Sequence, residues 1–315
     1  DADAHVNLGL VYLSLGNFRD GWKEYDWQWR RGGAPVRPFP PTLWDGTDLG
    51  GKDVFLHAEQ GLGDELFFLR FVPWLRKQGA GRIIYSPNTK ISSLLSRSKI
   101  LDRIAPPDER PTGTEFVFSV GDLPRLLDME HPSQIPAPIE LTPLSTQIAA
   151  VRQQLDKCGP QPCIGVTWRG GTTKKNALYK EIPLDKLAAC LRGTHTTVVV
   201  LQRNPRPGEI EAFAQALERP VHDFSALNEN LEQMLALMAV IDDYVGVSNA
   251  NMHLRAGAGK TARVLVPSPP EWRWMAEGRE SPWFPGFSVY RQGHNGNWDV
   301  AFQELENDLR QLLAE

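Results

Sequence analysis

The chain is 315 residues long, 41% apolar and 23% charged, with a formal net charge of −4. That length suits roughly two domains with filled cores, and the balance is that of an ordinary globular protein rather than a disordered or fibrous one. Mild acidity offers no footprint for nucleic acid or an anionic membrane surface, and no apolar run reaches the roughly 20 residues of a transmembrane span.

The opening Asp1-Ala2-Asp3-Ala4-His5 has no signal-peptide pattern and reads as a cut inside a larger protein. Residues 5–31 carry a helix-turn-helix pattern built on Leu8-Gly9, Tyr12, Leu15-Gly16-Asn17-Phe18, Gly21 and Tyr25. Gly9 and Gly21 let two helices approach closely, Gly16-Asn17 makes the turn, and the unit resembles one tetratricopeptide repeat. A single repeat cannot bury its own face, so it belongs to a longer array or packs on the adjoining domain. A proline-rich linker from Pro35 to Pro41 precedes Leu43-Trp44-Asp45-Gly46.

From Lys52 short strands alternate with amphipathic helices, with strands over 53–57, 82–86 and 115–119 and helices near 65–78, 89–96 and 122–128. This alternation predicts a parallel sheet covered by helices. The first strand runs into Gly61-Leu62-Gly63-Asp64-Glu65, where two glycines promise a tight turn before a helix starting near Leu66. A dinucleotide fingerprint would need a third glycine where Leu66 stands, and an acidic end to the next strand, which closes instead on Pro87-Asn88. An Asp and a Glu in this turn argue for a positioned carboxylate over a phosphate cradle. Asp64 is also read as a plain N-cap, and both readings stay open.

The proline-rich stretch 132–143 reads as an interdomain linker. A second alternating series comes after it, with strands at 163–168, 197–201, 243–247 and 263–266 and helices near 184–192, 208–217, 230–240, 251–258 and 298–313. After its first strand comes Trp168-Arg169-Gly170-Gly171-Thr172-Thr173-Lys174-Lys175-Asn176, whose glycines, hydroxyls and cations suit a diphosphate. A solvated basic loop is the alternative. Gln202, at the end of the next strand, is a candidate for ribose or base-edge contact. The turn Ser248-Asn249-Ala250-Asn251-Met252-His253 can cap a helix and offer N–H groups to phosphate, with His253 as contact, cap or core residue. No second His, Cys or carboxylate lies at metal-ligand spacing with His253. Cys158, Cys163 and Cys190 fit neither a disulfide framework nor a metal pair, so a reducing cytoplasm is expected. Trp272 and Trp274 are candidates for base stacking, with core packing as the rival role.

Several segments together resemble one family. They are His57-Ala58-Glu59-Gln60-Gly61-Leu62-Gly63-Asp64, Trp168-Arg169-Gly170, His253, Trp272-Arg273-Trp274, Ser281-Pro282-Trp283-Phe284-Pro285 and Arg291-Gln292. They resemble glycosyltransferases in which tetratricopeptide repeats precede a GT-B module. The nearer likeness is to the ADP-heptose:lipopolysaccharide heptosyltransferase-like family 9 group, the more distant one to O-GlcNAc transferase-like family 41 proteins.

The resemblance implies an α/β, GT-B-like fold of two Rossmann-like domains facing a cleft, preceded by a short all-α tetratricopeptide-type hairpin. The expected division is a hairpin over 1–33, a linker over 34–50, an acceptor domain over 51–145 and a nucleotide-sugar domain over 146–315, whose last helix packs back on the first domain. It further implies metal-independent, inverting transfer from a nucleoside-diphosphate sugar, with no other cofactor. Asp64 is the candidate base, and Gln60, Gly61, Gly63 and Glu65 lie on the acceptor side. Arg169, Thr172, Thr173, Lys174, Gln202, Asn249, Asn251 and His253 are expected on the donor. The acceptor is a glycan, lipopolysaccharide or protein, and the repeat offers a surface for a protein partner. No nucleic-acid partner is expected, and the place of action is the cytoplasm or the inner face of the inner membrane.

One departure stands out: the family often has Val-Asp-Thr where this chain has Val247-Ser248-Asn249. Two rival readings accompany the transferase. One is a catalytically degenerate binding scaffold, and the other a sugar-nucleotide epimerase drawing on Glu59 and Glu65.

Overall fold

A computed structural model describes residues 1–32, 39–44, 46–58, 61–107, 109, 112–170 and 180–312. The chain divides into two compact units, Asp1–Thr142 and Pro143–Glu315.

The first unit opens with a helical hairpin, α1 (Ala2–Ser14) and α2 (Phe18–Tyr25), extended by a 3-10 turn over Asp26–Arg30. Gly16, at φ +80°, makes the turn, and Asn17 caps α2. The two helices touch backbone to backbone: a Cβ on Gly9 would stand 2.7 Å from the Tyr25 amide nitrogen, and one on Gly21 2.7 Å from Leu13. Val6, Leu13, Phe18, Trp22 and Tyr25 are buried, and the Trp22 indole N–H reaches the Met129 sulfur at 3.1 Å. The Arg19 guanidinium forks onto Glu130. The hairpin is therefore fastened to the α/β part of its own unit.

That part is a four-stranded parallel sheet of β1 (Val54–His57), β2 (Ile83–Ser86), β3 (Arg103–Ile104) and β4 (Phe116–Ser119), in the order β3-β2-β1-β4. The runs Val-Phe-Leu, Ile-Ile-Tyr and Phe-Val-Phe are apolar on both faces, as strands covered by helices on either side must be. The covering helices are α3 (Leu62–Phe68), α4 (Val72–Lys77), α5 (Thr89–Leu95) and α6 (Leu123–Leu126). The single helix expected over 65–78 is two, joined by a 3-10 turn at Leu69–Phe71. Pro73, in the first turn of α4, has no N–H to continue the ladder.

The second unit starts with α7 (Ser145–Leu155) and then builds a six-stranded parallel sheet. Its elements are β5 (Cys163–Val166), α8 (Leu184–Arg192), β6 (Thr197–Val200), α9 (Glu209–Leu217), β7 (His222–Asp223), α10 (Leu231–Val240), β8 (Asp243–Val247), α11 (Ala250–Gly257), β9 (Arg263–Val266), β10 (Ser288–Arg291) and α12 (Asp299–Leu312). The strand order is β10-β9-β8-β5-β6-β7, all parallel. One sheet face, with Ile164, Val166, Trp168, Val198, Val200 and Val245, forms a common core with α8, α9 and α12. Where the sequence places the last helix against the first domain, its apolar residues Ala301, Phe302, Leu305 and Leu309 are buried in this unit's own core.

Each sheet reverses its direction of growth once, between β1 and β4 in the first unit and between β5 and β8 in the second. Loops at the carboxyl ends of the strands diverge there, which is where open α/β sheets present binding residues.

Candidate functional site

In the first unit the carboxyl end of β1 leads to α3. Gly61 is the N-cap of that helix at φ −99°, ψ 166°, ordinary extended backbone that any residue adopts. The expected tight glycine turn is thus a regular strand-to-helix junction, and the helix starts at Leu62 rather than near Leu66. Asp64 is consequently the third helical residue, not the N-cap. Its Oδ2 accepts the Gly61 N–H at 3.1 Å, the reach-back half of a capping box. Its side chain is half-exposed.

Glu65, one position on, turns inward and is 1% exposed. Its Oε2 accepts the Tyr85 hydroxyl at 2.7 Å and the Asn88 amide at 3.0 Å. Burial raises its carboxyl to about 7, the Asp64 charge adds to this, and the Asn88 and Tyr85 hydrogen bonds oppose it. Glu65, expected on the acceptor side, therefore ties α3 to the loop after β2. Of the other acceptor-side residues, Gly61 is exposed and Gly63 half-buried, whereas Gln60 and Glu59 lie outside the described residues.

In the second unit the ends of β5 and β8 carry a polar cluster. The Asn249 amide nitrogen lies 3.0 Å from Thr167 Oγ1, the Tyr244 hydroxyl and the Val247 carbonyl oxygen, while its Oδ1 accepts the Asn251 N–H at 2.9 Å and caps α11. Burial pushes the Tyr244 hydroxyl up, against hydrogen bonds from Thr167, Asn249 and Asn251. His253, in the first turn of α11, is half-buried with its ring edge-on to Phe284 at 5.2 Å.

The segment after β5 is pinned at its base. Gly170 N–H donates to Lys180 O at 2.7 Å, Ile182 N–H to Trp168 O at 2.9 Å, and Arg169 bridges Glu181 antiparallel between them. Thr172, Thr173 and Lys174 lie outside the described residues. The Arg169 guanidinium forks onto Glu209, at 2.5 and 3.0 Å, and donates to Asn204 O at 3.2 Å. Burial works against the Glu209 anion, but hydrogen bonds from the Arg169 guanidinium and the Arg206 amide prevail and hold its carboxyl below the usual range.

Gln202 is fully buried. Its Oε1 accepts from the Trp168 and Arg169 amides, and its Nε2 donates to the Arg169 and Arg203 carbonyls. With two acceptor sites and two N–H groups in use, it braces the ends of β5 and β6 and keeps no group for a ribose. The tryptophans likewise pack. Trp274 stacks on Phe284 at 4.6 Å and Trp272 stands edge-on to Trp283 at 5.3 Å, with the Arg273 guanidinium 4.4 Å over the Trp272 ring.

The structure adds residues that no motif marked. Glu271, in the segment after β9, accepts from Lys180 and, at 2.9 Å, from the Ser248 hydroxyl on Oε2; Oε1 takes Arg273 at 2.8 Å. Burial opposes its ionisation, but Lys180 and Arg273 overcome this and hold the carboxyl well below the usual carboxylate range. Lys180 and Glu271 are 91 residues apart, so no local spacing could pair them. A cleft of about 640 Å³, lined among others by Trp168, Glu181, Glu209 and His294, opens on the α8 and α12 side of the sheet. Its two carboxylates are paired with Arg169 and Arg206. Among the described residues, no three His, Cys, Asp or Glu side chains are grouped to hold a metal ion, and no helix is long and apolar enough to cross a membrane.

No protein-family model matches the chain. It is 26% identical over 331 residues to protein FlbA of Caulobacter vibrioides, an alignment covering 96% of this chain and 54% of that protein. The chain thus spans about half the length of this curated relative. Among solved structures it is similar to a family 9 glycosyl transferase from Veillonella parvula, with TM-score 0.62 and 12% identity over 85% of this chain and 99% of that one. It is also similar to E. coli ADP-heptose lps heptosyltransferase II, with TM-score 0.56 and 14% identity over 83% and 98% of the two chains. A third likeness is to the dodecameric iron-containing heptosyltransferase TibC in complex with ADP-D-beta-D-heptose, at TM-score 0.52 and 11% identity over 84% and 78%. The fold is that of family 9 glycosyltransferases, a GT-B-like α/β architecture with parallel sheets.

Proposed function

We propose that this chain is a glycosyltransferase of the family 9 type, moving a hexose or heptose from a nucleoside-diphosphate sugar to an acceptor nucleophile. The observation that carries this reading is the carboxyl edge of β5 and β8. There the N-terminus of α11, capped by Asn249, follows directly on Ser248, whose hydroxyl shares a Glu271 oxygen with the Lys180 ammonium. Helix N–H groups, a hydroxyl and a cation are the groups a leaving diphosphate needs, and they stabilise its charge without a metal. Asn249, Asn251 and His253 border the same turn. Arg169 and Gln202 shape the neighbouring loop, and Thr172, Thr173 and Lys174 are further donor-binding candidates by their chemistry alone.

Asp64 is the base. The acceptor O–H gives its proton to the half-exposed Asp64 carboxylate, the oxygen attacks the anomeric carbon from the face opposite the diphosphate, and the bond to the diphosphate oxygen breaks with its electron pair. Configuration inverts, and protonated Asp64 and a nucleoside diphosphate result. The acceptor is a glycan, lipopolysaccharide or protein, reached from the cytoplasm or at the inner membrane. The tetratricopeptide-like hairpin is the surface for a protein partner.

Asp64→Asn keeps an oxygen for the Gly61 N–H and so preserves the start of α3. Turnover is expected to fall roughly 10²–10⁴-fold with donor affinity unchanged. Turnover equal to the parent's would remove Asp64 from the mechanism. A second reading, a degenerate binding scaffold, is favoured by the occupation of Arg169 and Gln202 by the protein's own groups. It implies no affinity for any nucleotide sugar.

A further inference from the structure

One carboxylate ties together the carboxyl ends of three neighbouring strands in the second unit. Glu271 stands after β9, Ser248 directly follows β8, and Lys180 closes the stem that follows β5, while the sheet order places β9, β8 and β5 side by side. Oε2 of Glu271 serves both Ser248 and Lys180, and Oε1 is held by Arg273, whose guanidinium lies over the Trp272 ring. Lysine is a point charge on a flexible four-carbon stem, so its ammonium is placed only where something fixes it.

We propose that Glu271 is a positioning residue of the donor site: from the loop after β9 it fixes the Lys180 ammonium beside Ser248. This role rests on the proposed nucleotide-sugar function and deepens it. The Ser248 hydroxyl donates to the same Oε2 that holds Lys180, so a carboxylate built at position 248 would stand beside that ammonium. The carboxyl, held ionised by its two cations, stays an acceptor over the whole physiological range.

A charge-relocation cycle tests this on the whole chain, with Glu271→Gln, Ser248→Asp and the double variant. Each is followed by thermal unfolding and by calorimetric titration with ADP, UDP and GDP. Glu271→Gln leaves Lys180 and Arg273 without their anion, and is expected to lower Tm by about 5 °C. The same variant weakens the bound nucleoside diphosphate roughly tenfold. Ser248→Asp sets two carboxylates within a hydrogen bond of each other and lowers Tm as well. The double variant restores one carboxylate beside Lys180 and returns Tm to within about 2 °C of the parent. Losses in Tm that simply add in the double variant, or a nucleoside-diphosphate affinity unchanged in Glu271→Gln, overturn the proposal. If the parent itself binds no nucleoside diphosphate, the proposed function fails and the donor role with it. The unfolding cycle alone then still decides whether a carboxylate at 248 can replace the one at 271.

Discussion

Asp64 and Glu65 are neighbours in sequence, and about 100° of helical rotation gives them opposite surroundings. Because α3 starts at Leu62, Asp64 falls on the half-exposed side and Glu65 turns in toward Tyr85 and Asn88. The acidic pair was legible in the sequence, but its division of labour depends on where the helix begins, and Gly61 as an N-cap hides that start. The buried partner has a measurable signature. Its carboxyl is raised from 4.5 to about 7 on folding, so the folded chain holds a proton that the unfolded chain gives up. The resulting stability is fully present below about pH 4.5 and is lost as pH rises through about 7. Glu65→Gln keeps an oxygen for both donors and cannot ionise. It is expected to flatten this dependence and to stabilise the first unit at pH 8 by up to roughly 3 kcal/mol. Denaturant unfolding at pH 5 and pH 8 measures it. Parallel pH profiles for parent and variant would show that the carboxylate is ionised there at little cost.

Among the elements, the long apolar strands were the most legible, because β1, β2, β4, β5, β6 and β8 are continuous hydrophobic runs bounded by turn residues. The two-residue strands β3 and β7 are too short to carry a pattern. β10 was missed because Ser288–Arg291 follows a proline- and tryptophan-rich segment whose composition masks it, and α7 because it follows a proline-rich stretch read as linker. The hairpin was legible from its glycines and the apolar and aromatic residues spaced around them. Gly9 and Gly21 mark the crossing, and the structure puts backbone against the position of the missing Gly9 side chain. Gly9→Ala should therefore force α1 and α2 apart and cost about 1–3 kcal/mol. Gly193→Ala makes the control, since nothing lies within 4 Å of the added methyl and φ is −78°. A Gly9→Ala chain as stable as the Gly193→Ala chain would mean the helices slide past each other freely.

At the scale of the whole molecule, alternation of strand and helix announced two parallel α/β units, and the similarity to family 9 glycosyltransferases agrees with that order. Of the candidate site, the sequence made legible only the short motifs, the turn of Asp64 and the cap of α11. Pairings across the chain escaped, because Lys180 and Glu271 are joined only by the neighbouring of β5, β8 and β9. The same pairings reassign Gln202 to bracing, a task its sequence position did not reveal. The decisive question is whether the carboxyl edge of the second sheet takes a nucleotide sugar. Isothermal titration of the chain with ADP-, UDP-, GDP-, dTDP- and CMP-sugars tests this directly. One of the five is expected to bind one-to-one with a dissociation constant of roughly micromolar order, stronger than the rest by about tenfold or more. No binding heat from any of them at millimolar concentration would contradict a nucleotide-sugar-dependent transferase.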